Sequence, residues 1–262
     1  MSFEESFMIT IKTPEEIKIL RDGGKLLASI LLKVGEKAKP GVTTLELDEY
    51  AEFLIKEAGG EPAFKNYRTG DDKYPFPSAL CASINDEVVH GIPVKDRILE
   101  ESDIISLDLG LKWNGLYTDA AITVGVGRIS PDAEKLLNVT KSALEKGINV
   151  IKEKVAIGDI GFAIQSYVGE NGFNVVKKLV GHGVGYELHE DPEVPNWGKK
   201  GAGLILKSGT VFAMEPMVCI GSADVVLDKN GWTWKTKDGS LAAHFEHTIA
   251  VTQKGCEVLT KL

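Results

Sequence analysis

The chain has 262 residues, of which 43% are hydrophobic and 26% are charged, and its formal net charge is -8. This composition is typical of a globular protein with a sizeable core, and the negative charge argues against a general nucleic-acid or anionic-membrane surface. No apolar run is long enough to span a bilayer, residues 1–10 do not resemble a secretory signal, and three cysteines without a CxxC pair favour a reducing, cytoplasmic setting.

Two helices are predicted at the start of the chain. Thr13, followed three residues later by Glu16, forms a capping-box pattern, and apolar residues then recur at helical spacing up to Pro40-Gly41. A second helix is predicted from Thr43 to the glycine pair Gly59-Gly60 by the same start signal and a glycine stop.

Strand-like runs follow a loop rich in turn-forming residues at 66–77. The predicted strands are Ala79–Ile84, Val88–Gly91, Ile104–Leu111 and Leu116–Val124. The last two are separated by Asn114-Gly115, which is the strongest short signal for a two-residue hairpin turn.

The same order of elements then begins again. A third helix is predicted to start at Ser130-Pro131, and a fourth covers Asp159–Val168. Strands are predicted at Val175–Val180, Thr210–Cys219 and His244–Val251. Two helices followed by strands, twice over, predict an α+β chain of two related halves whose helices cover one face of a sheet.

The predicted hairpin places two acids on one face. If Asn114-Gly115 is a two-residue turn, Asp108 faces Ala121 and Asp119 faces Gly110, so the two aspartates are diagonal neighbours on the same side. Like charges at this separation are stabilised by protonation, a basic partner or a bound cation. The alternative is that one aspartate faces solvent at a strand end, or that the register is shifted by one residue.

Two later segments also place acids inside apolar runs. Glu215 lies within residues 210–217, and Glu246 shares one side of a predicted strand with His244. Charged residues are seldom fully buried without partners, so four acids in four apolar strands indicate a shared functional site.

Five histidines are present: His90, His182, His189, His244 and His247. Each one by itself is as consistent with a hydrogen-bonded structural residue as with a functional one. The glycines that flank His182 would let a ligand approach closely.

The acids and one histidine form a coherent ligand set, which comprises Asp108, Asp119, His182, Glu215 and Glu246. Carboxylates with one imidazole and no thiolate suit catalytic Mn, Fe, Co or Zn. Five ligands exceed what one ion needs once a water is included, so the set suits two divalent ions about 3.5–4 Å apart.

Several motifs in this order resemble those of the type I methionine aminopeptidases, over nearly the whole chain. They are Cys81-Ala-Ser-Ile-Asn85, Val89-His90-Gly91-Ile92-Pro93, Asp108-Leu-Gly, Thr118-Asp119, Gly181-His182-Gly183-Val184-Gly185, His189-Glu190-Asp191-Pro192, Met214-Glu215-Pro216 and Phe245-Glu246-His247-Thr248. The resemblance implies the pita-bread fold of two pseudo-symmetric halves, with a curved antiparallel sheet covered by helices. It implies one catalytic domain over residues 1–262, a dinuclear site on the five ligands, and removal of the initiator methionine when the second residue is small.

The resemblance also implies roles for individual side chains. His189 would donate a hydrogen bond to the developing oxyanion, His90 would orient the scissile amide, and Glu215 would shuttle a proton as well as bind metal. The methionine pocket would be lined by Cys81, Trp232, Phe76 and Tyr74. For Phe76 and Trp232 plain core packing is the alternative interpretation.

His244 departs from the family pattern, in which glutamine often stands at this position. It either hydrogen-bonds a metal ligand or faces solvent, and we do not count it as a ligand.

Two other functions compete with this interpretation. One is a Xaa-Pro peptidase of the same fold, and the other is a metal-free binding module. The expected partner is the N-terminal methionine of nascent polypeptides, with a transient ribosome contact, no nucleic-acid specificity, no membrane and a monomeric state.

Overall fold

The computed structural model describes residues 9–70 and 73–262. The prediction that residues 1–10 are not a secretory signal concerns a segment that lies mostly outside these ranges. Positions 71–72 of the predicted loop at 66–77 also lie outside them. The described ranges hold four helices: α1 (Pro14–Lys37), α2 (Thr44–Glu57), α3 (Pro131–Val150) and α4 (Ile157–Glu170). None of these helices is long and apolar enough to cross a lipid bilayer.

The strands of the described ranges are short, except for one long hairpin. They are β1 (Glu61–Pro62), β2 (Leu80–Ile84), β3 (Glu87–Val89), β4 (Ile104–Trp113), β5 (Leu116–Gly125), β6 (Asn174–Val175), β7 (Gly181–Gly183), β8 (Glu190–Val194), β9 (Val211–Met214), β10 (Met217–Cys219), β11 (Val225–Leu227), β12 (Trp234–Thr236), β13 (Ala242–His244), β14 (His247–Val251) and β15 (Cys256–Val258).

The predicted starts of α1, α2 and α3 are confirmed, whereas α4 begins at Ile157, two residues before the predicted Asp159. At the start of α1 the Thr13 hydroxyl accepts from Glu16 N while the Glu16 carboxylate accepts from Thr13 N, and Thr43 with Glu46 does the same for α2. These reciprocal bonds satisfy backbone donors that the first helical turn leaves without partners. Ser130 caps α3 by accepting from Ala133 N.

The predicted hairpin register is also confirmed. Asp108 pairs with Ala121, and Gly110 pairs with Asp119. Asn114 and Gly115 have φ angles of 49° and 86°, as a type I′ turn requires at both central positions. The two aspartates therefore point to the same side of the sheet, and both are buried.

The predicted strand Val175–Val180 is wrong beyond its first residue. β6 ends at Val175, and the described backbone from 176 to 180 forms no strand. Val176 N still donates to Met217 O, but the chain then leaves this sheet and enters another at Gly181. Val176 and Leu179 pack on the core from a loop, and an apolar pattern alone does not distinguish such residues from a strand.

Two other predicted strands are each interrupted by two residues. Thr210–Cys219 divides into β9 and β10 around Glu215-Pro216, and His244–Val251 is divided by Phe245-Glu246 between β13 and β14. Pro216 has no N–H to donate, which disfavours a continuous ladder at that point.

The two interruptions lie opposite each other. Met214 pairs with His247 on one side of the gap, and Met217 pairs with His244 on the other, in one continuous register. Glu215 is therefore directly across from Glu246, at a point where neither strand continues its ladder.

Backbone pairing divides the strands into four antiparallel sheets. The first half forms a sheet of β1, β4, β2 and β5, and the second half forms one in the order β15-β14-β9-β7-β8, with two three-stranded sheets beside them. One apolar core lies under α1 and α2, and a second lies under α3 and α4.

Threonine hydroxyls join the two halves where β5 runs beside β13 and β14. The Thr248 hydroxyl accepts from Asp119 N at 2.9 Å and donates to Asp119 O at 2.8 Å. The Thr123 hydroxyl does the same for His244 N and His244 O, at 2.9 and 2.8 Å. Each hydroxyl thus makes the two hydrogen bonds, one to an N–H and one to a C=O, that a residue of a neighbouring strand would otherwise make. Both threonines are buried.

Replacing Thr248 by valine should lower the free energy of unfolding by about 2–4 kcal/mol, because it leaves two buried backbone groups without partners. The matched control is Thr140→Val in α3, where the buried hydroxyl donates only to Leu136 O of the preceding turn. That change should cost less than about 1 kcal/mol. Urea unfolding measures both, and equal losses in the two variants would contradict the bridging role.

Candidate metal centre

The five predicted ligands converge at the junction of the two halves. Asp108 and Asp119 come from the β4–β5 hairpin, and His182 is the central residue of β7. Glu215 and Glu246 come from the opposed interruptions between β9 and β10 and between β13 and β14. The interruption also frees Glu246 N, which donates to Ala121 O of β5 at 2.9 Å and so draws Glu246 toward the aspartates.

His182 presents one ring nitrogen to the carboxylates. Its Nδ1 donates to Gly183 O at 2.9 Å, so Nε2 is left as the acceptor. Nε2 lies 3.6 Å from Glu215 Oε1 and 3.9 Å from Asp119 Oδ2. One ligand atom each from Asp119, His182 and Glu246 lies within 4.8 Å of the others, the spacing of groups that surround a common ion.

Burial raises the pKa of all four acids. The pKa of Asp119 is raised to about 7 by desolvation and then by the charge of Glu215, and that of Glu215 is raised to about 7 by desolvation. The pKa of Asp108 and that of Glu246 are raised well above their usual range, by desolvation first and then by the Asp119 charge. The site therefore opposes negative charge unless a cation compensates it.

Buried oxygens in the cluster also lack protein partners. Asp108 Oδ1 and Asp119 Oδ1 have no hydrogen-bond partner among the described residues. Buried carboxylates are ordinarily paired, hydrogen-bonded or bound to metal. Four carboxylates and one imidazole, with no thiolate, fit divalent Mn, Fe, Co or Zn, and Asp119, His182 and Glu246 are the most closely grouped of the five.

His244 lies inside the site rather than in solvent, so that alternative is wrong. Its side chain is 1% exposed, and Nε2 lies 3.5 Å from Glu215 Oε2 and 4.0 Å from Glu246 Oε2. Desolvation lowers the pKa of His244 to about 4, so the ring is neutral at pH 7. Neither ring nitrogen has a hydrogen-bond partner among the described residues, so His244 lies against these carboxylates without a hydrogen bond to them.

His189 lies against the ligand His182. Their ring centroids are 4.1 Å apart, and His189 Nδ1 is 2.7 Å from the Tyr67 hydroxyl. His189 is exposed by surface area, but crowding by the surrounding atoms, followed by the nearby His182 and His90 rings, lowers its pKa. His189 is therefore a neutral imidazole at the edge of the carboxylate cluster, and its role stays a prediction.

His90 lies at the end of β3 in a left-handed backbone conformation, with φ 58°. Residues other than glycine are uncommon there, although histidine, like asparagine and aspartate, is enriched several-fold among them. The conformation is supported by Thr233, whose hydroxyl donates to His90 O at 3.0 Å. The His90 ring lies edge-on to Trp232, with centroids 6.1 Å apart.

An apolar cluster lies beside the histidines and contains three of the four predicted pocket residues. Its buried members are Phe64, Phe76, Cys81, Leu188 and Trp232. Tyr74 is placed differently, since its side chain is 37% exposed and its hydroxyl donates to Asn230 O. Tyr74 contributes its backbone carbonyl instead, which accepts from Trp232 Nε1 at 3.1 Å.

Sequence analysis missed several residues of this site. Leu188 and Phe64 complete the apolar cluster, Tyr67 contacts His189, and Thr248 fixes the backbone of Asp119. Leu188 precedes His189 in a predicted motif and could have been found from that position. Thr248 ends the motif Phe245-Glu246-His247-Thr248, but that motif does not indicate its hydrogen bonds to Asp119. Phe64 and Tyr67 have no local signal, because tertiary folding alone brings them to the site.

Comparison with known proteins identifies the family. A family model described as metallopeptidase family M24 matches residues 18–253, and the chain belongs to that family. A methionine aminopeptidase of Clostridium acetobutylicum is 48% identical over 257 residues, which cover 97% of this chain and 99% of the relative. Methionine aminopeptidase 1 of Bacillus subtilis is 46% identical over 255 residues, covering 97% and 100%. Within the M24 family, the chain belongs to the methionine aminopeptidases.

Solved structures confirm the pita-bread fold. The methionine aminopeptidase of Thermotoga maritima superposes with a TM-score of 0.93 at 45% identity, covering 97% of this chain and 100% of its own. A Xaa-Pro dipeptidase of Bacillus anthracis has a TM-score of 0.74 at 23% identity, and the match covers 96% of this chain but 62% of that one. The similarity to the Xaa-Pro dipeptidase shows a shared fold only.

Chelator-treated, metal-free protein should become less stable as the pH rises from about 5 to about 8. The carboxyls of Asp119 and Glu215 have a pKa of about 7 in the folded chain and about 4 when unfolded. Asp108 and Glu246, whose pKa is raised further, also stay protonated in the folded chain. Together the four acids outweigh the protons that His189, His244 and His247, whose pKa is lowered, bind only when unfolded, so stability is lost as the pH rises. Urea titrations at each pH measure the slope, and Asp119→Asn is the control that should reduce it. A flat or rising profile would contradict the buried clustering of these acids.

Proposed function

We propose that the chain is an aminopeptidase that removes an N-terminal methionine from polypeptides whose second residue is small. One observation carries this proposal: a cluster of carboxylates and one imidazole lies beside a buried apolar cluster, whose side chains would line a small pocket. The cluster suits the activation of water, and the pocket suits a thioether side chain, which packs well against aromatic rings.

The cluster would hold two divalent ions. Asp119 and Glu246 would hold them together with His182, because one ligand atom of each of these three residues lies within 4.8 Å of the others. Asp108 would complete one ion's ligands, and His182 with Glu215 would complete the other's. When bound, the ions would supply a water acidified to near neutral pH and a Lewis acid for the scissile carbonyl.

Glu215 is the residue best placed to move a proton. Its side chain is 12% exposed, and its two oxygens face different histidines, His182 at 3.6 Å and His244 at 3.5 Å. A carboxylate in this position can accept a proton from the attacking water and return it to the leaving amine nitrogen. Water adds across the C–N bond, which releases methionine and a new amino terminus.

His189 and His90 would act on the peptide bond itself. A neutral His189 ring carries one N–H, and its position against His182 aims it at the same small volume. There it would donate a hydrogen bond to the oxygen that becomes negative as the carbonyl is attacked. His90, between the apolar pocket and His189, would orient the scissile amide.

The pocket would bind the methionine side chain. Cys81 and Phe76 are 4% and 3% exposed, and Phe76 meets Trp232 edge-to-face with centroids 5.3 Å apart. Burial and the nearby Asp108 charge raise the pKa of the Cys81 thiol well above its ordinary value, so it remains protonated. Cys81 is therefore assigned to the pocket wall and not to chemistry.

We further propose a single catalytic domain over residues 1–262, a monomeric protein, a cytoplasmic setting and a transient contact with the ribosome. These four properties are extensions of the family membership, and each needs its own measurement.

The function is tested by cleavage of Met-Ala-Ser and of a matched Xaa-Pro peptide, with Mn²⁺, Co²⁺, Fe²⁺ or Zn²⁺ added back to chelated protein. We expect methionine release that requires metal and exceeds Xaa-Pro cleavage by at least about 100-fold, since the wrong side chain leaves the pocket unfilled. Metal content per chain separates one ion from two. Metal binding without cleavage of either peptide would favour the binding-module alternative.

His189→Ala should lower kcat by about 100-fold or more while metal content and the KM for the peptide change little, because an oxyanion donor acts chiefly in the transition state. Tyr67→Phe removes the hydroxyl that contacts His189 and should have a smaller effect of the same kind. Tyr167→Phe in α4 is the matched control and should match the unmodified protein. Full turnover in His189→Ala would exclude the oxyanion role.

A further inference from the structure

The segment that precedes α1, residues 9–12, lies against the functional site. Lys12 N donates to Gly209 O at 2.8 Å, which fixes the backbone of the segment beside β9. The Lys12 side chain then turns inward, and only 3% of the residue is exposed. Fully buried lysines are rare unless they are paired, so the role of Lys12 can be inferred from the group with which its ammonium pairs.

That partner is Glu190, which lies next to His189 in the chain. Lys12 Nζ donates to Glu190 Oε2 at 2.6 Å, and the Thr10 hydroxyl donates to the same oxygen at 2.5 Å. The other oxygen, Oε1, accepts from Tyr186 N at 2.5 Å and from Glu187 N at 2.9 Å. One carboxylate therefore joins the N-terminal segment to the backbone of the loop at 185–190.

A second contact joins the same two parts of the chain. The Tyr186 hydroxyl donates to Glu16 Oε1 at 2.8 Å, and the Tyr186 ring lies 4.7 Å below Lys12 Nζ. Lys12 also approaches the loop closely at Gly185, where an added Cβ would lie 2.3 Å from Lys12 Cε. The loop is thus clamped from one side by charge, hydrogen bonds and close packing.

The clamped loop carries two side chains of the site. Leu188 is a buried member of the apolar cluster, and His189 lies against the predicted ligand His182. A shift of about 1 Å in such a loop can cost about 100-fold in rate. A buried ion pair is a poor source of net stability, because desolvation opposes the attraction, but its directed hydrogen bonds hold a geometry.

We propose that Lys12 is a positioning residue, which acts through Glu190 to hold His189 in place for the reaction. The proposal rests on the proposed function, because His189 is its endpoint. Neither Lys12 nor Glu190 lies among the metal ligands or the pocket residues, and Lys12 is 177 positions from His189 in the chain.

The test is a double-mutant cycle on Met-Ala-Ser cleavage by metal-loaded protein. Lys12→Met keeps the length of the side chain and removes the charge, and it should lower kcat about tenfold with a smaller change in KM. In a His189→Ala background the same change should lower kcat less than about twofold, because the group it positions is already gone. Lys12→Arg, which keeps the charge, should recover part of the loss.

The matched control is Arg21→Met. Arg21 pairs with Glu257 and likewise ties the N-terminal helix to a distant strand, but away from the site. It should lower thermal stability without changing kcat. If Lys12→Met does not fold, Glu190→Gln replaces it in the cycle, since glutamine keeps the oxygen that faces Tyr186 N and loses the one that faces Lys12.

The outcomes separate the two proposals. No methionine release by the unmodified protein, with metal bound, refutes the proposed function. Normal release with unchanged kcat in Lys12→Met, or with equal losses in both backgrounds, refutes the positioning role alone.

Discussion

The clustering of four buried carboxylates is the constraint on which the rest of the structure depends. Each acid loses hydration on burial, and Asp108, Asp119 and Glu246 are also repelled by neighbouring acids, so the pKa of all four is raised. Such an arrangement is costly in the empty protein and becomes favourable when divalent cations compensate the charge. The surrounding fold holds these acids in place against their mutual repulsion.

Three devices provide that support. The long β4–β5 hairpin is paired along its whole length, which makes Asp108 and Asp119 rigid. Threonine hydroxyls bond the backbones of Asp119 and His244 across the junction of the halves. The opposed strand interruptions free Glu215 and Glu246 from continuous ladders while the paired strands on either side keep their register. In each case, backbone pairing or hydrogen bonding holds in place acidic side chains that electrostatic repulsion alone would push apart.

The local parts of this design could be predicted from the sequence. Capping boxes at Thr13 and Thr43 depend on residues three apart, and the hairpin register follows from Asn114-Gly115 by counting. That register places Asp108 and Asp119 on one face of the hairpin, as the structure has them. The division of Thr210–Cys219 and the loss of strand after Val175 could not be predicted in this way. Both depend on which sheet a strand joins, and the apolar pattern of a segment does not indicate the strand with which it will pair.

The sequence by itself determined the helices, the hairpin and, through the order of its motifs, the family and the identity of the candidate ligands. Only the tertiary structure decided that His244 is buried among the carboxylates, that Tyr74 contributes a carbonyl and not a ring, and that Lys12 reaches the loop beside His189. The physical reason is the range of the interactions. Caps and two-residue turns are set by neighbours in the chain, whereas burial and ion pairing are set by segments that meet only when the whole chain has folded.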